Sequence, residues 1–463
     1  MKKALFLLLI IQFSLCSPIS SQETEGIGSD LPSVKDIAFS LGDVFMVNLV
    51  FNSGARIILQ EEYSETNLST MKKNLNRNWC WDKDGFFMNQ FGHPYQGSLY
   101  FASGRSNGLD FWQSFFVAAT GSFLWEEFGE TTTPAVNDFI TTPICGTLIG
   151  EGLHRLYVDA SELCPAFAWI LSPVSALNSS FRNTKYSVSG RTEEIDFLFH
   201  GEFLASKVDF SDNLTEDLSK KKAGGGGIHI QYGSPDAHST KEPLDFFTVD
   251  MNYAISPHYY SGDFCIDGFL YSRALYFEES EGSLGINLLY EGNKTKDMIF
   301  SNSALGIKYI GSKNFPSSCG KIRYFFQLGG VFLGTRGLYR LTKDINVGLK
   351  KSIRANPPRT YNFGGGVILK LGFSAGNRFV GTFWGNAEIS FLGPYPYAKL
   401  DDAECNGHFL FLATLAYEHE ITNHFSVGVK DCFINKKDWF VSEADSRQIV
   451  NSLQLYGKFT FRR

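Results

Sequence analysis

Between Asn89 and Glu151 the chain places six acidic side chains, one histidine and one arginine in strongly apolar, aromatic and glycine-rich surroundings. Charge among apolar neighbours is costly, so it has a partner or a task. His93, Arg105, Glu126, Glu130, Asp138 and Glu151 together are a set able to support general acid-base work or hold a cation. Plainer readings stand beside this one. Glu151 and Arg155 are four apart and fit an intrahelical ion pair, Asn137-Asp138 fits a cap or turn, and His93 before Pro94 fits a loop-fixing hydrogen bond. Ser106 and Ser122 have no G-x-S-x-G context, so a serine hydrolase triad has no support. Metal binding by Glu126, Glu130, Asp138 and His93 is chemically permissible, but no H-E-x-x-H spacing points to it. The sequence reading is therefore of no metal and no cofactor.

These residues need helices to position them. Residues 108–130 read as one helix, opened by Gly108 and ended near Gly129. Ser114, Ala118, Ser122, Glu126 and Glu130 form a narrow stripe on an otherwise aromatic surface. After Pro134 a second helical region carries Asn137-Asp138, with Pro143 expected to divide it and Thr142 to cap the second part. Gly146 and Gly150, one turn apart, allow close helix approach and would bring Asp138 and Glu151 toward Glu126. Asn48 and Asn52 align on a helix, where they could donate to the acidic cluster or make plain structural hydrogen bonds.

The stretch containing His93-Pro94-Tyr95-Gln96-Gly97, Arg105, Trp125-Glu126, Glu130, Asn137-Asp138 and Gly150-Glu151 resembles a bacterial envelope family catalogued as domain of unknown function 3943. The resemblance implies an envelope protein and assigns no reaction.

Residues 1–16 combine Lys2-Lys3, a leucine-rich run and Ser14-Leu15-Cys16, as in a secretory signal peptide with cleavage after Cys16 or as late as Ser21. Losing Lys2 and Lys3 moves the formal charge from −6 to −8 with no basic patch, which excludes nucleic acid as a partner class. The cysteines lie far apart with no C-x-x-C, so a metal knuckle is excluded as well. Aromatic residues reach 15% of the chain, yet after the signal no run approaches the ~20 apolar residues of a spanning helix. That dispersal is the signature of a transmembrane β-barrel, with a large soluble all-β protein as the alternative.

Residues 22–35 are polar and read as disordered, 36–177 as a helical acidic module, and 195–463 as successive strands. Expected strands are 195–206, 227–232, 245–255, 263–277, 283–291, 301–311, 321–335, 362–374, 378–392, 408–421, 425–434 and a final one from Ile449 to Phe461. Lys220 to Lys222 and Gly224 to Gly227 read as loop and strand entry. Connections in the C-terminal half alternate: 336–361 long, 375–377 short, 393–407 long, 422–424 short, 435–447 long. The expected fold is mainly β: an antiparallel transmembrane β-barrel of about twelve strands with an N-terminal α-helical module. The expected function is that of an integral outer-membrane protein of a Gram-negative-type bacterium, with the helices as plug or periplasmic cap and a structural or small-solute and ion passage role. Its partners would be outer-membrane lipid and the barrel assembly machinery. An envelope enzyme acting on lipid or glycan, with a carboxylate of Glu126, Glu130 or Asp138 as base, and a soluble periplasmic binding or scaffold protein remain open at this stage.

Overall fold

A computed structural model describes residues 32–463 apart from 183–185, 212–214, 237, 258, 279, 297, 315–319, 339–359, 399–404 and 442–443. The signal peptide and residues 22–31 of the segment read as disordered lie outside the described residues. The chain forms two compact units, one of helices and one of strands, with Lys83–Phe86 counted with the strands.

The helical unit contains α1 (Val34–Gly54), α2 (Leu68–Asn76), α3 (His93–Arg105), α4 (Phe111–Leu124), α5 (Val136–Leu163), α6 (Pro165–Leu171) and α7 (Pro173–Arg182). Helix α4 starts where Gly108, at φ +91°, turns the chain and Asp110 caps it. The Asp110 carboxylate accepts from the Gln113 amide at 2.8 Å, and the Gln113 side chain accepts from the Asp110 amide at 3.0 Å, a reciprocal capping box. The expected 108–130 helix thus begins at Phe111 and passes into a π-helical turn at Trp125–Gly129.

Pro143 does not divide the second helical region, and Thr142 does not cap it. Helix α5 runs 28 residues through Pro143, and the buried Thr142 hydroxyl makes no hydrogen bond among the described residues. Packing overrides the lost backbone bond. A Cβ on Gly97 would lie 1.8 Å from the Thr142 carbonyl oxygen, and one on Gly146 2.6 Å from the Gly97 backbone. Helices α3 and α5 therefore touch backbone to backbone through their glycines, and they run parallel: His93 lies by Asp138 at one end and Arg105 by Glu151 at the other.

The strand unit is a closed antiparallel barrel of twelve strands: β1 (Thr192–Phe210), β2 (Thr215–Tyr232), β3 (Phe247–Ser256), β4 (Tyr259–Phe277), β5 (Ser280–Thr295), β6 (Ile299–Asn314), β7 (Lys321–Gly337), β8 (Tyr361–Asn377), β9 (Gly381–Pro394), β10 (Cys405–Thr422), β11 (Phe425–Phe440) and β12 (Ser446–Arg462). Each strand pairs with its sequence neighbours, and β1 pairs with β12. Alternation does the sorting. On β12, Leu453, Leu455, Phe459 and Phe461 point outward and are exposed, whereas Ser452, Tyr456 and Thr460 point inward and are buried. Phe199, Tyr253, Ile307, Leu328 and Phe383 extend the same apolar outer surface around the barrel.

Strand β2 is three times longer than the expected 227–232. Lys220 to Lys222 and Gly224 to Gly227 are strand, not loop, because β1 pairs along the whole of that stretch. The glycines admit the neighbouring strand: a Cβ on Gly225 would meet the Tyr253 carbonyl oxygen at 1.9 Å. The expected long connection 435–447 shrinks to 441–445, since β11 and β12 both extend into it. Among the described residues no helix is long and apolar enough to cross a membrane, and Cys80, Cys145, Cys164, Cys265, Cys405 and Cys432 form no disulfide with one another.

Closure rests on the β1–β12 pair, which runs from Glu194 opposite Arg462 to Phe210 opposite Ser446. Phe197 meets Phe461 and Phe199 meets Phe459 edge to face on its outer surface. Removing residues 453–463 is expected to abolish assembly of a heat-modifiable barrel, measured by the unheated gel shift. Substituting only Arg462 and Arg463 is expected to leave most of it assembled, since the loss is then one exposed ion pair to Glu194.

Candidate functional site

The sequence places six candidate residues in one acidic module; the helical unit separates five of them into two groups. Asp138 and Glu151 are thirteen residues apart on α5, roughly 20 Å along its axis, so both cannot join Glu126. Asp138 does join it. One nitrogen of His93 and one carboxylate oxygen each from Glu126 and Asp138 lie within 4.8 Å of one another, and all three residues are buried.

Local structure explains their placement. His93 opens α3 directly after a π-helical turn at Met88–Gly92, and Glu126 lies in the π-helical turn that ends α4. Such turns carry one extra residue per turn and re-aim side chains, which is why they recur at sites. The Glu126 carboxylate accepts from the Ala135 amide at 2.6 Å. Ala135 has no side chain able to cap α5, so Glu126 supplies the acceptor that its N-terminus needs. Asp138 accepts from the Asn137 side chain at 2.8 Å. Asn137 in turn accepts from the Asp82 amide at 3.0 Å and approaches Asn89 at 3.4 Å, and Asn89 donates to the Asp82 carboxylate at 3.0 Å.

The His93 ring is 6% exposed and hydrogen-bonds to nothing among the described residues. Its Nε2 stands 3.6 Å from Asp138 Oδ1. Burial pulls its pKa down to about 4, which leaves the imidazole neutral at neutral pH. The 3.6 Å approach is therefore not an ion pair.

The second group is a charge clamp. Glu151 receives Arg105 Nε at 2.9 Å and Arg155 Nε at 2.8 Å, and Arg105 also donates to the Leu109 carbonyl at 3.1 Å. Glu151 and Arg155 are fully buried. The Glu151–Arg155 pair expected at i, i+4 is present, and Arg105 completes it by tying α3 to α5. With its guanidinium so engaged, Arg105 fixes α3 against α5.

Glu130 is not one of the three groups that converge at His93. It follows the π-helical turn of Glu126 in extended backbone, and its carbonyl accepts from Asn74. Asn52 donates to the carbonyls of Ser64 and Gly129, and Asn48 accepts from Tyr100 and Gln96, so both amides are structural and neither serves the carboxylates. Ser106 accepts from Asn178, and the Ser122 hydroxyl approaches only the Asp138 carbonyl.

Sequence reasoning missed Asp82 and Asn89, which support Asn137, and Glu127, whose buried carboxylate accepts from Trp79 Nε1 at 3.0 Å. Apart from Lys458, on the polar face of the last strand, it also singled out none of the charged groups lining the cavity of the barrel. There a cavity of about 520 Å³ is lined by seven carboxylates, among them Glu202, Asp263 and Glu291, and by only three lysines. Lys370 sits 2.5 Å from Glu291 and 3.5 Å from Glu388, and Lys458 sits 2.8 Å from Glu418 and 3.3 Å from Asp196. Arg336, fully buried, donates to the carbonyls of Ser301 and Thr335 and to the side chains of Asn302 and Ser390. The signal for these residues was present in the alternation, since Glu291, Glu388, Lys370 and Lys458 all take inward positions of their strands.

Residues 78–162 match the family model "Domain of unknown function (DUF3943)". The matched segment holds both groups of the helical unit, from Asp82 to Arg155. No curated protein matches the chain. Among solved structures it is similar to the KdgM porin, at 7% identity over 56% of this chain and 99% of that one, with a TM-score of 0.23. It is similar to Omp33 of Acinetobacter baumannii, at 12% identity over 59% of this chain and 100% of that one, TM-score 0.23. A FadL homologue of Pseudomonas aeruginosa has 8% identity over 58% of this chain and 90% of that one, TM-score 0.24. The strand pairing, not these likenesses, defines the fold.

Two outcomes follow for the helical unit. Glu151→Gln leaves two guanidiniums without their carboxylate and is expected to destabilise the unit by about 3 kcal/mol, measured by chemical denaturation in detergent. His154 is buried against Ser175, and its pKa is held well below 6.5 by burial, with Arg105 and Arg155 adding to the effect. The unfolded chain then binds the proton that the folded one refuses, so stability falls as pH drops below about 6.5. His154→Gln is expected to flatten that fall.

Proposed function

We propose that this protein is an integral outer-membrane β-barrel whose lumen passes small polar solutes, cations in preference to anions. One observation carries the reading: the closed barrel turns an apolar surface outward and holds a cavity in which carboxylates outnumber lysines by seven to three. An apolar outer surface is suited to lipid, and a closed ladder leaves no backbone edge unpaired within it. An excess of one charge sign inside low-dielectric walls concentrates the opposite ion.

Outer-membrane lipid is the partner this surface fits, and the barrel assembly machinery is the partner that its aromatic closing strand would engage. Residues 1–16 support export across the inner membrane. The resemblance to an envelope family agrees with that location.

The purified full chain is expected to partition with membranes, resist carbonate extraction and conduct in planar bilayers with a cation-selective reversal potential. Glu202 and Asp263 line the cavity, and among the described residues their side-chain hydrogen bonds come from uncharged groups, Ser452 and Asn252. Replacing both, as Glu202→Gln with Asp263→Asn, is expected to reduce cation selectivity severalfold while the barrel stays assembled. Full recovery in the soluble periplasmic fraction, or a pure bilayer signal without conductance, sinks the proposal.

A further inference from the structure

We propose that His93, Glu126 and Asp138 form a binding site for one divalent first-row transition-metal ion in the helical unit. This departs from the sequence reading, which found no ligand spacing. The three ligands come from three separate places in the chain, the start of α3, the π-helical end of α4 and the first turn of α5, so no short motif could announce them.

The geometry is close to that of an occupied site. Two ligands each ~2.1 Å from a shared ion stand roughly 3.0–3.5 Å apart. The His93 to Asp138 approach is 3.6 Å, and the three donor atoms span no more than 4.8 Å. Closing on an ion thus needs movements of at most about 1 Å. The spacing is also too wide for a hydrogen bond between imidazole and carboxylate, so the ring faces a carboxylate without bonding to it.

His93 supplies the independent argument. A buried imidazole ordinarily finds a hydrogen-bond partner, and this one has none among the described residues. An ion between the three groups gives the ring nitrogen its partner. The surrounding contacts are those of an outer ligand shell: the Ala135 amide orients Glu126, and the Asn137 side chain, itself held by Asp82 and Asn89, orients Asp138.

Donor chemistry selects the class of ion. One imidazole with two carboxylates suits zinc, cobalt, iron(II) or manganese, whereas calcium takes six to eight oxygens and magnesium keeps most of its water. Two carboxylates match the charge of a divalent ion in an apolar surrounding. Three protein ligands leave coordination positions for water or for a further molecule.

The test uses the purified full chain in detergent, stripped with a chelator and then titrated with Co²⁺ and Zn²⁺. The expected result is one ion per chain, with a Co²⁺ spectrum free of thiolate charge-transfer bands, since no cysteine takes part. His93→Ala, Glu126→Gln and Asp138→Asn are each expected to weaken binding by about 100-fold or more. Asn137→Ala, which removes only the group orienting Asp138, is expected to weaken it roughly 10-fold or more, and Glu130→Gln not at all. The gel shift of the barrel and the far-ultraviolet spectrum identify any variant that fails to fold, in which case the remaining variants and the wild-type stoichiometry decide. A wild-type chain that takes up no ion, or folded variants of all three ligands that bind as wild type does, overturns the proposal.

Discussion

Every backbone amide and carbonyl of a sheet needs a partner, and in a barrel the last of them are satisfied only when the first strand meets the final one. The β1–β12 ladder is that closure, and the other features of the strand unit depend on it. With twelve strands in simple up-and-down order, closure fixes which side chains face inward on every strand. A slip of β12 by one residue at this seam would send Phe459 and Phe461 into the lumen and Ser452, Tyr456 and Thr460 out of it. The seam also joins residues up to 270 apart in sequence, a long-range contact whose loop-closure cost comes before its reward.

The helical unit depends on a different contact of the same kind. Gly97 and Gly146 allow α3 and α5 to lie backbone against backbone, so the two helices act as one rigid rail. The parallel direction matters because each end of the rail then pairs a group from α3 with one from α5. At one end His93 faces Asp138, and at the other Arg105 faces Glu151. The arginine end is saturated with mutual ion pairs and holds the rail together. The histidine end is held in place from behind, by Ala135 and Asn137, and keeps an unbonded ring.

The barrel was legible because its periodicity of two repeats in every strand and needs no tertiary information. All twelve expected strands appear in order, and errors fall at their ends. At β2 the Lys220 to Gly227 stretch looked like a loop because lysine and glycine disfavour strands in general, whereas the close approach of β3 requires small residues there. The helix break expected at Pro143 failed for a related reason: local propensity favoured a break, and packing on Gly97 outweighed it. Within the site, residue types were readable but partners were not. His93, Glu126 and Asp138 come together only through the parallel pairing of α3 with α5, and the sequence contains no sign of that direction. Glu151 was grouped with them because Gly146 and Gly150 predicted close approach correctly, without saying which end of which helix would meet.

The sharing of lysines inside the barrel has a consequence for how this lumen tolerates change over generations. Lys370 serves both Glu291 and Glu388, and Lys458 serves both Glu418 and Asp196. Loss of any one of these four acids leaves its lysine still matched by another. Loss of either lysine strands two acids at once, facing each other across a few ångströms of low-dielectric interior. Around these two lysines the lumen is thus redundant in its anions and singular in its cations, and neutral drift has more room among the former.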